Sequence, residues 1–229
     1  MGNKERLGRE RPGGGVLSAW KPERIASRAG RLACLVMAAV SLVSGAEDGR
    51  AGTRANPLKV MLVPSDGGTE EGTRADFAPL FEALTRMTDL RFEIRVGQSY
   101  SSVIEAIAAG LTDLAYMGTV SYLTASDRGP VELLAISEEE GGFFYYSGLF
   151  TLKDSGIHEL EDLRGKTLVF SDPSSSSGFV YPLALLLGRG IDPVHDAGRV
   201  ILSGSHTNSL TALAEGRAEV AAAPFESYI

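Results

Sequence analysis

Residues 171–178 read Ser-Asp-Pro-Ser-Ser-Ser-Ser-Gly, between an apolar run at Thr167–Phe170 and a second at Phe179–Gly188. The first run has strand character and the second the length of a helix, so the hydroxyls fall on a strand-to-helix loop. The first turn of a helix has unpaired backbone N–H groups and a partial positive charge, which suits an oxyanion. Serine hydroxyls add donors there without adding net charge. The same residue types also serve as a helix cap followed by a polar linker, and composition leaves both readings open. Serine, histidine and aspartate are the ingredients of a hydrolase as well. Yet the chain has no G-x-S-x-G elbow, and four consecutive serines single out no nucleophile with an identifiable base. No His/Cys grouping has zinc-ligand spacing, and the single cysteine, Cys34, excludes an internal disulfide framework, so neither a metal nor a cofactor is expected.

The elements that must position this loop follow a repeating order. Leu58–Val63 reads as a buried strand ending at Pro64, and Phe77, Leu80, Phe81, Leu84 and Met87 recur at helical spacing. Alternation of Leu90, Phe92, Ile94 and Val96 with charged residues predicts a half-buried strand. Val103, Ile104, Ile107 and Ala108 then predict a helix stopped by Gly110. A short run at 114–117, a brief helix over 119–126 and a strand over Val131–Ile136 come next, and the acidic run at 138–140 with Gly141 and Gly142 marks a solvated turn. Phe143–Leu152 predicts a long strand crossing from one lobe to another, after which the pattern restarts. Leu160–Leu163 and 179–188 predict helices, and 167–170 and Val200–Leu202 predict strands. A helix over Ser209–Glu215 and a strand over Glu219–Ala222 complete the series. Alternating strands and helices imply an α/β fold with parallel sheets, here in two lobes.

The bulk numbers bound the partners. With 44% hydrophobic and 22% charged residues the 229-residue chain is an ordinary globular protein, and its formal net charge of -7 argues against a nucleic-acid binder. The first 46 residues differ from the rest. Eight basic residues from Lys4 to Arg31 lead into an apolar stretch at Leu32–Val43 and the small residues Ser44-Gly45-Ala46, the order of a secretory signal cleaved after Ala46. Cys34 begins the apolar stretch rather than following it, so lipidation is not expected. Without the eight basic residues and three glutamates of that segment, 14 basic and 26 acidic residues remain, a formal -12. A chain this acidic cannot draw in an anion by long-range attraction, so local donors would have to hold it.

In this setting the loop resembles that of the phosphate/phosphite/phosphonate family of ABC-transporter substrate-binding proteins, and the resemblance runs from Leu58 to Glu226. Asp172-Pro173-Ser174-Ser175-Ser176-Ser177-Gly178 is similar to the family's Asp-Pro-x-Ser-Thr/Ser-Ser-Gly loop, whose hydroxyls and amides hold the phosphonate oxygens. By that resemblance Ser175, Ser176, Ser177 and Gly178 form the anion clamp. Tyr100, in Gly97-Gln98-Ser99-Tyr100, and Tyr145, in Tyr145-Tyr146-Ser147, match two pocket tyrosines. His206, in Gly204-Ser205-His206, matches the histidine that contacts the phosphonate, and Glu226 the carboxylate that receives a ligand amino group in some members. Each has a bland alternative: Tyr100 as a surface neighbour of a helix cap, Tyr145 as packed core, His206 as a cap. A histidine suits an anion because an oxyanion favours its protonated form, and its ordinary pKa near 6.5 makes that form pH-dependent.

The resemblance implies a type II periplasmic-binding-protein-like fold: a signal peptide at 1–46, a spacer at 47–56, lobe I at 57–150 and lobe II at 151–229. Family members continue past the point reached at Ile229 and cross back to the first lobe, so the second crossover and C-terminal part are expected to be missing. It implies a periplasmic monomer that binds a small phosphorus oxyanion between its lobes, presents it to a membrane permease, and has no enzymatic activity. The chain departs from the family pattern at Gly141-Gly142-Phe143-Phe144-Tyr145, which is more aromatic than the family's Gly-Tyr run, as well as in its early stop at Ile229. The same bilobal fold also serves as a periplasmic sensor for signalling partners, which is the competing function.

Overall fold

The computed structural model describes residues 50–138 and 141–227. The expected secretory segment lies outside them. Among the described residues, no helix is long and apolar enough to cross a membrane.

Strand β1 (Leu58–Leu62) is flanked by β2 (Phe92–Val96) and β3 (Leu114–Tyr116) in a parallel three-stranded sheet of order β2-β1-β3. Its register pairs Val60 with Ile94 and with Leu114. Helix α1 (Glu70–Thr88) begins at the N-cap Thr69, whose hydroxyl accepts the Gly72 N–H at 3.0 Å, with Glu70 and Glu71 in its positive first turn. It ends at Asp89, left-handed at φ 58°. Helix α2 (Tyr100–Ala108) opens on a reciprocal capping box between Ser99 and Ser102. Side chains alternate across the sheet as the pleat requires. Val60 and Leu62 pack with Phe81, Phe77 and Leu84 of α1, whereas Met61 and Val63 pack with Tyr100 and Val103 of α2. The apolar stripe of α1 is narrower than its spacing predicts, because Leu80 and Met87 are exposed. Helix α3 (Thr119–Ser126) follows β3 and packs on α2.

The second sheet has the order β4-β7-β5-β6, from β4 (Ser147–Phe150), β5 (Thr167–Phe170), β6 (Arg199–Leu202) and β7 (Val220–Pro224). β5 runs parallel to β6 and β7, and β4 lies antiparallel on β7. Helix α4 (Tyr181–Gly188) and the short α5 (Pro193–Asp196) follow β5, and α6 (His206–Ala214) follows β6. Leu168, Phe170, Val220 and Ala222 face Leu186 and Ile191 on one side, and Val169 and Ala221 face Ala212 and Leu213 on the other. All five β7 residues are buried, small side chains admitting helices close to both faces.

Two expectations are corrected. The strand expected at 143–152 forms only over Ser147–Phe150, and it pairs in the second sheet, antiparallel to β7. Val131–Ile136 has strand composition but joins no ladder with the described strands, so Leu133, Leu134 and Ile136 remain exposed. A strand needs a hydrogen-bonded neighbour as well as β-branched residues, and composition cannot supply one.

Candidate functional site

The serine loop leaves β5 at Phe170 and is built by its own hydrogen bonds. Asp172 folds it back, its carboxylate accepting the Ser174 N–H at 2.8 Å and its carbonyl the Ser175 N–H at 2.8 Å. The helix that follows opens with a π turn, Ser176–Val180, before α4. Ser175 is its N-cap: the Oγ accepts the Gly178 N–H at 3.0 Å, and the carbonyl accepts the Val180 N–H at 3.0 Å. π turns occur mainly at functional sites, where the extra residue re-aims side chains. Ser175, Ser176 and Ser177 are all buried. Gly178 has a steric reason to be glycine, since a Cβ there would lie 1.9 Å from Ser171 Oγ. Ser171 Oγ is itself buried and, among the described residues, without a hydrogen-bond partner.

The three-stranded sheet contributes its own loops to the same place. The Val120 N–H, in the first turn of α3, donates to Ser176 Oγ at 2.9 Å, and the Ser121 hydroxyl donates to the Ser174 carbonyl at 2.8 Å. From the other side, the His206 N–H at the start of α6 donates to the Ser65 carbonyl in the β1–α1 loop at 2.8 Å. Asp66, in that loop, sets a carboxylate oxygen 3.3 Å from His206 Nδ1, while its other oxygen accepts the Ser227 hydroxyl at 2.6 Å. His206 Nε2 in turn lies 3.1 Å from Ser175 Oγ and 3.5 Å from Ser177 Oγ. Burial pushes the Asp66 carboxyl up, but the hydrogen bond and charge of His206, with the hydroxyls of Ser227 and Ser65, outweigh it and hold the group below its ordinary range.

Tyr100 opens α2 and reaches the cluster from the first sheet. It is 2% exposed, which excludes the surface alternative, and its hydroxyl is buried beside Ser175 with no well-formed hydrogen bond among the described residues. Burial raises its phenol far above the usual range, opposed only by the nearby Ser175 hydroxyl, so it stays a neutral donor at all ordinary pH. Tyr145, between the crossing loop and β4, is 37% exposed; burial raises its phenol too, against the hydroxyls of Ser176 and Ser177 beside it. Glu226, in the turn after β7, is exposed at the rim. Tyr100, Tyr145, Ser175, Ser176, Ser177, His206 and Glu226, with Asp66 and Ser227, line one cleft of about 1130 Å³ that runs on along β3 and residues 130–137, and Gly178 stands behind the serines. Among the described residues no grouping of His, Cys, Asp or Glu is arranged to hold a metal.

The eight residues singled out from the sequence thus converge on the cleft or its wall. Asp66, the α3 first turn and Ser227 escaped that reading. Asp66 lies 140 residues from His206 in the chain. Its one local signal is its place between a strand and Gly67-Gly68, both at positive φ, where a backbone turns sharply into a helix.

Two α/β sheets with helices on their faces, meeting over a donor-lined cleft, define the type II periplasmic-binding-protein class of fold. The sequence profile described as "ABC transporter, phosphonate, periplasmic substrate-binding protein" matches residues 68–228, and the chain belongs to that family. The phosphate-import protein PhnD of Mycolicibacterium smegmatis is 31% identical over 195 residues, covering 80% of this chain and 60% of its own. The phosphonates-binding periplasmic protein of Escherichia coli is 27% identical over 158 residues, covering 67% of this chain and 46% of its own. The chain therefore spans about half to three fifths of the length of these curated relatives. A binding protein component of an ABC phosphonate transporter from Pseudomonas aeruginosa shares the fold with a TM-score of 0.67 at 24% identity, over 75% of this chain and 58% of the other. PhnD1 from Prochlorococcus marinus in complex with methylphosphonate does so at 0.65 and 19%, over 75% and 64%.

Proposed function

We propose that this protein is the exported solute-binding component of an ABC importer for a phosphonate, phosphite or phosphate, held between its two lobes by Ser175, Ser176, Ser177, Gly178, Tyr100, Tyr145 and His206. The observation that carries this reading is the buried, unpartnered Tyr100 hydroxyl beside a helix start capped by serines. An orphaned donor costs stability unless a ligand employs it, and here it faces a loop whose own donors are already assembled. Hydrogen bonds from Val120 and Ser121 to the serine loop, and from His206 to Ser65, bring the two sheets into the contact expected of a closed form. The closed protein would dock, as a periplasmic monomer, on a membrane permease.

Asp66, His206 and Ser175 have the connectivity of a nucleophilic triad. We infer binding rather than acyl transfer, because Ser175 Oγ is engaged as the helix cap and His206 reaches two serines rather than activating one. No release of nitrophenol from simple aryl esters above the uncatalysed rate is expected.

Calorimetric titration with methylphosphonate, 2-aminoethylphosphonate, phosphite and phosphate tests the reading. Saturable binding of one of them establishes the receptor; a folded protein that binds none refutes it. Glu226 at the rim favours a ligand with an ammonium group, since a carboxylate repels a bare oxyanion. Glu226→Gln would then weaken 2-aminoethylphosphonate while sparing methylphosphonate.

A further inference from the structure

We propose that Asp66 is a positioning residue that fixes the proton on His206 Nδ1, so that seating an oxyanion against the serines draws a further proton onto Nε2; the proposal rests on the oxyanion reading above. An ionised carboxylate only accepts hydrogen bonds, so the 3.3 Å contact to Nδ1 places a hydrogen on that nitrogen. The Ser227 hydroxyl on the other carboxylate oxygen holds Asp66 in this orientation. Nε2 is then the site that varies. When bare, it accepts a hydroxyl hydrogen from Ser175 or Ser177 and turns that donor away from the cleft.

When protonated, Nε2 donates instead, and the consequence falls on Ser175. Its Oγ already accepts the Gly178 N–H. With a second bond from His206 both lone pairs are filled, and the hydroxyl hydrogen must point elsewhere, toward the cleft or toward Tyr100. Ser176 is prepared in a similar way, its Oγ accepting the Val120 N–H. The protonated state thus presents hydrogens, rather than lone pairs, to the ligand, and an oxyanion bound there would oppose the loss of the Nε2 proton.

Among the described residues, every other charged or titratable group facing this point is acidic or phenolic. Asp66 approaches from the β1–α1 loop, Tyr100 from α2, Tyr145 from the segment before β4, Asp172 from the serine loop and Glu226 from the final turn. Lysine and arginine are absent from the described residues that line the cleft. His206 is therefore the residue among them able to supply positive charge to an anion, and Asp66 is built to favour that state.

The test is proton-linked calorimetry. Methylphosphonate is titrated into wild type, Asp66→Asn and His206→Asn near pH 8, in buffers of different ionisation enthalpy. Wild type should take up roughly one proton more per ligand than either variant, and its affinity should fall with rising pH more steeply than that of either variant. The ligand's own ionisation is common to all three proteins and cancels in the difference. Equal uptake and parallel pH profiles, with binding retained, overturn the proposal and leave the oxyanion reading standing. Binding of no phosphorus oxyanion by wild type overturns that reading, and this proposal with it. If a variant fails to fold, the imidazole ¹⁵N spectrum of the ligand-free wild type decides: neutral His206 carries its hydrogen on Nδ1, and a hydrogen on Nε2 would overturn the assignment.

Discussion

Replacing Tyr100 by phenylalanine should move stability and affinity in opposite directions. The ring is 98% buried against Val63 and Val103 and is retained in the variant, so only the hydroxyl is lost. Among the described residues that hydroxyl makes no well-formed hydrogen bond. A buried polar group left unsatisfied costs about 1–3 kcal/mol, and removing it should recover part of that, less a small packing loss where the oxygen sat. At about 2–4 °C per kcal/mol for a domain of this size, the ligand-free variant should melt roughly 2–5 °C higher than wild type. Binding should suffer instead. A hydrogen bond to a charged oxygen is worth about 1.5–3 kcal/mol, so the phosphonate should bind about 10- to 150-fold more weakly. The phenol remains protonated at all ordinary pH, so this loss should be the same at pH 6 and pH 8. Scanning calorimetry without ligand and titration calorimetry with it measure the two effects independently. A variant that melts lower in the ligand-free state, or that binds as tightly as wild type, would show that the hydroxyl is structural and refute the reasoning.

Three further outcomes follow from the same geometry. Gly178→Ala should destabilise the fold by about 1–3 kcal/mol through overpacking against Ser171 Oγ, and Ser171→Gly should relieve much of that, a coupling readable from urea unfolding of the double-mutant cycle. Ser176→Ala should weaken oxyanion binding about tenfold without unfolding the protein; since it also leaves the Val120 N–H without its acceptor, small-angle scattering should show a more open apo form. The Asp66 carboxyl is held below the ordinary aspartate range by His206 and the hydroxyls of Ser227 and Ser65, so its contribution to stability is present above the ordinary aspartate pKa of about 4 and is lost as pH falls through its folded value. In urea unfolding, wild type should therefore exceed Asp66→Asn at about pH 6, by a margin that shrinks as pH falls below the ordinary aspartate range.

The parts of this fold legible from sequence are those set by local chemistry. The Ser99/Ser102 capping box fixes the start of α2, apolar alternation fixes β2, and the Ser-Asp-Pro start of the serine loop announces a turn into a helix. What escaped depends on partners distant in the chain. Val131–Ile136 has the residues of a strand but no ladder to join, and whether a strand forms is decided by its neighbour. The π turn at Ser176–Val180 is one residue out of step with an α-helix, a difference no apolar periodicity reports. Asp66 was invisible because a lone aspartate before two glycines reads as a turn. Only the fold brings it to His206, 140 residues away.

The proposed site would also reconcile an acidic protein with an anionic ligand. Beyond its first 46 residues the chain carries 26 acidic against 14 basic residues, and the described residues of the cleft add Asp66, Asp113, Glu132 and Glu226 to its walls with no lysine or arginine. Long-range attraction is therefore unfavourable, and an arriving anion gains nothing until it reaches hydrogen-bond distance. There the backbone and hydroxyl donors act in a buried setting where an unmade bond is costly, so discrimination falls on geometry: an oxyanion that meets Tyr100, the serines and Nε2 together is held, and one that satisfies only some of them leaves buried donors unpaired. Cationic clefts attract every polyvalent anion in solution. A cleft of neutral donors with one protonatable histidine, set within negative walls, trades capture rate for selectivity between anions of similar charge and different shape.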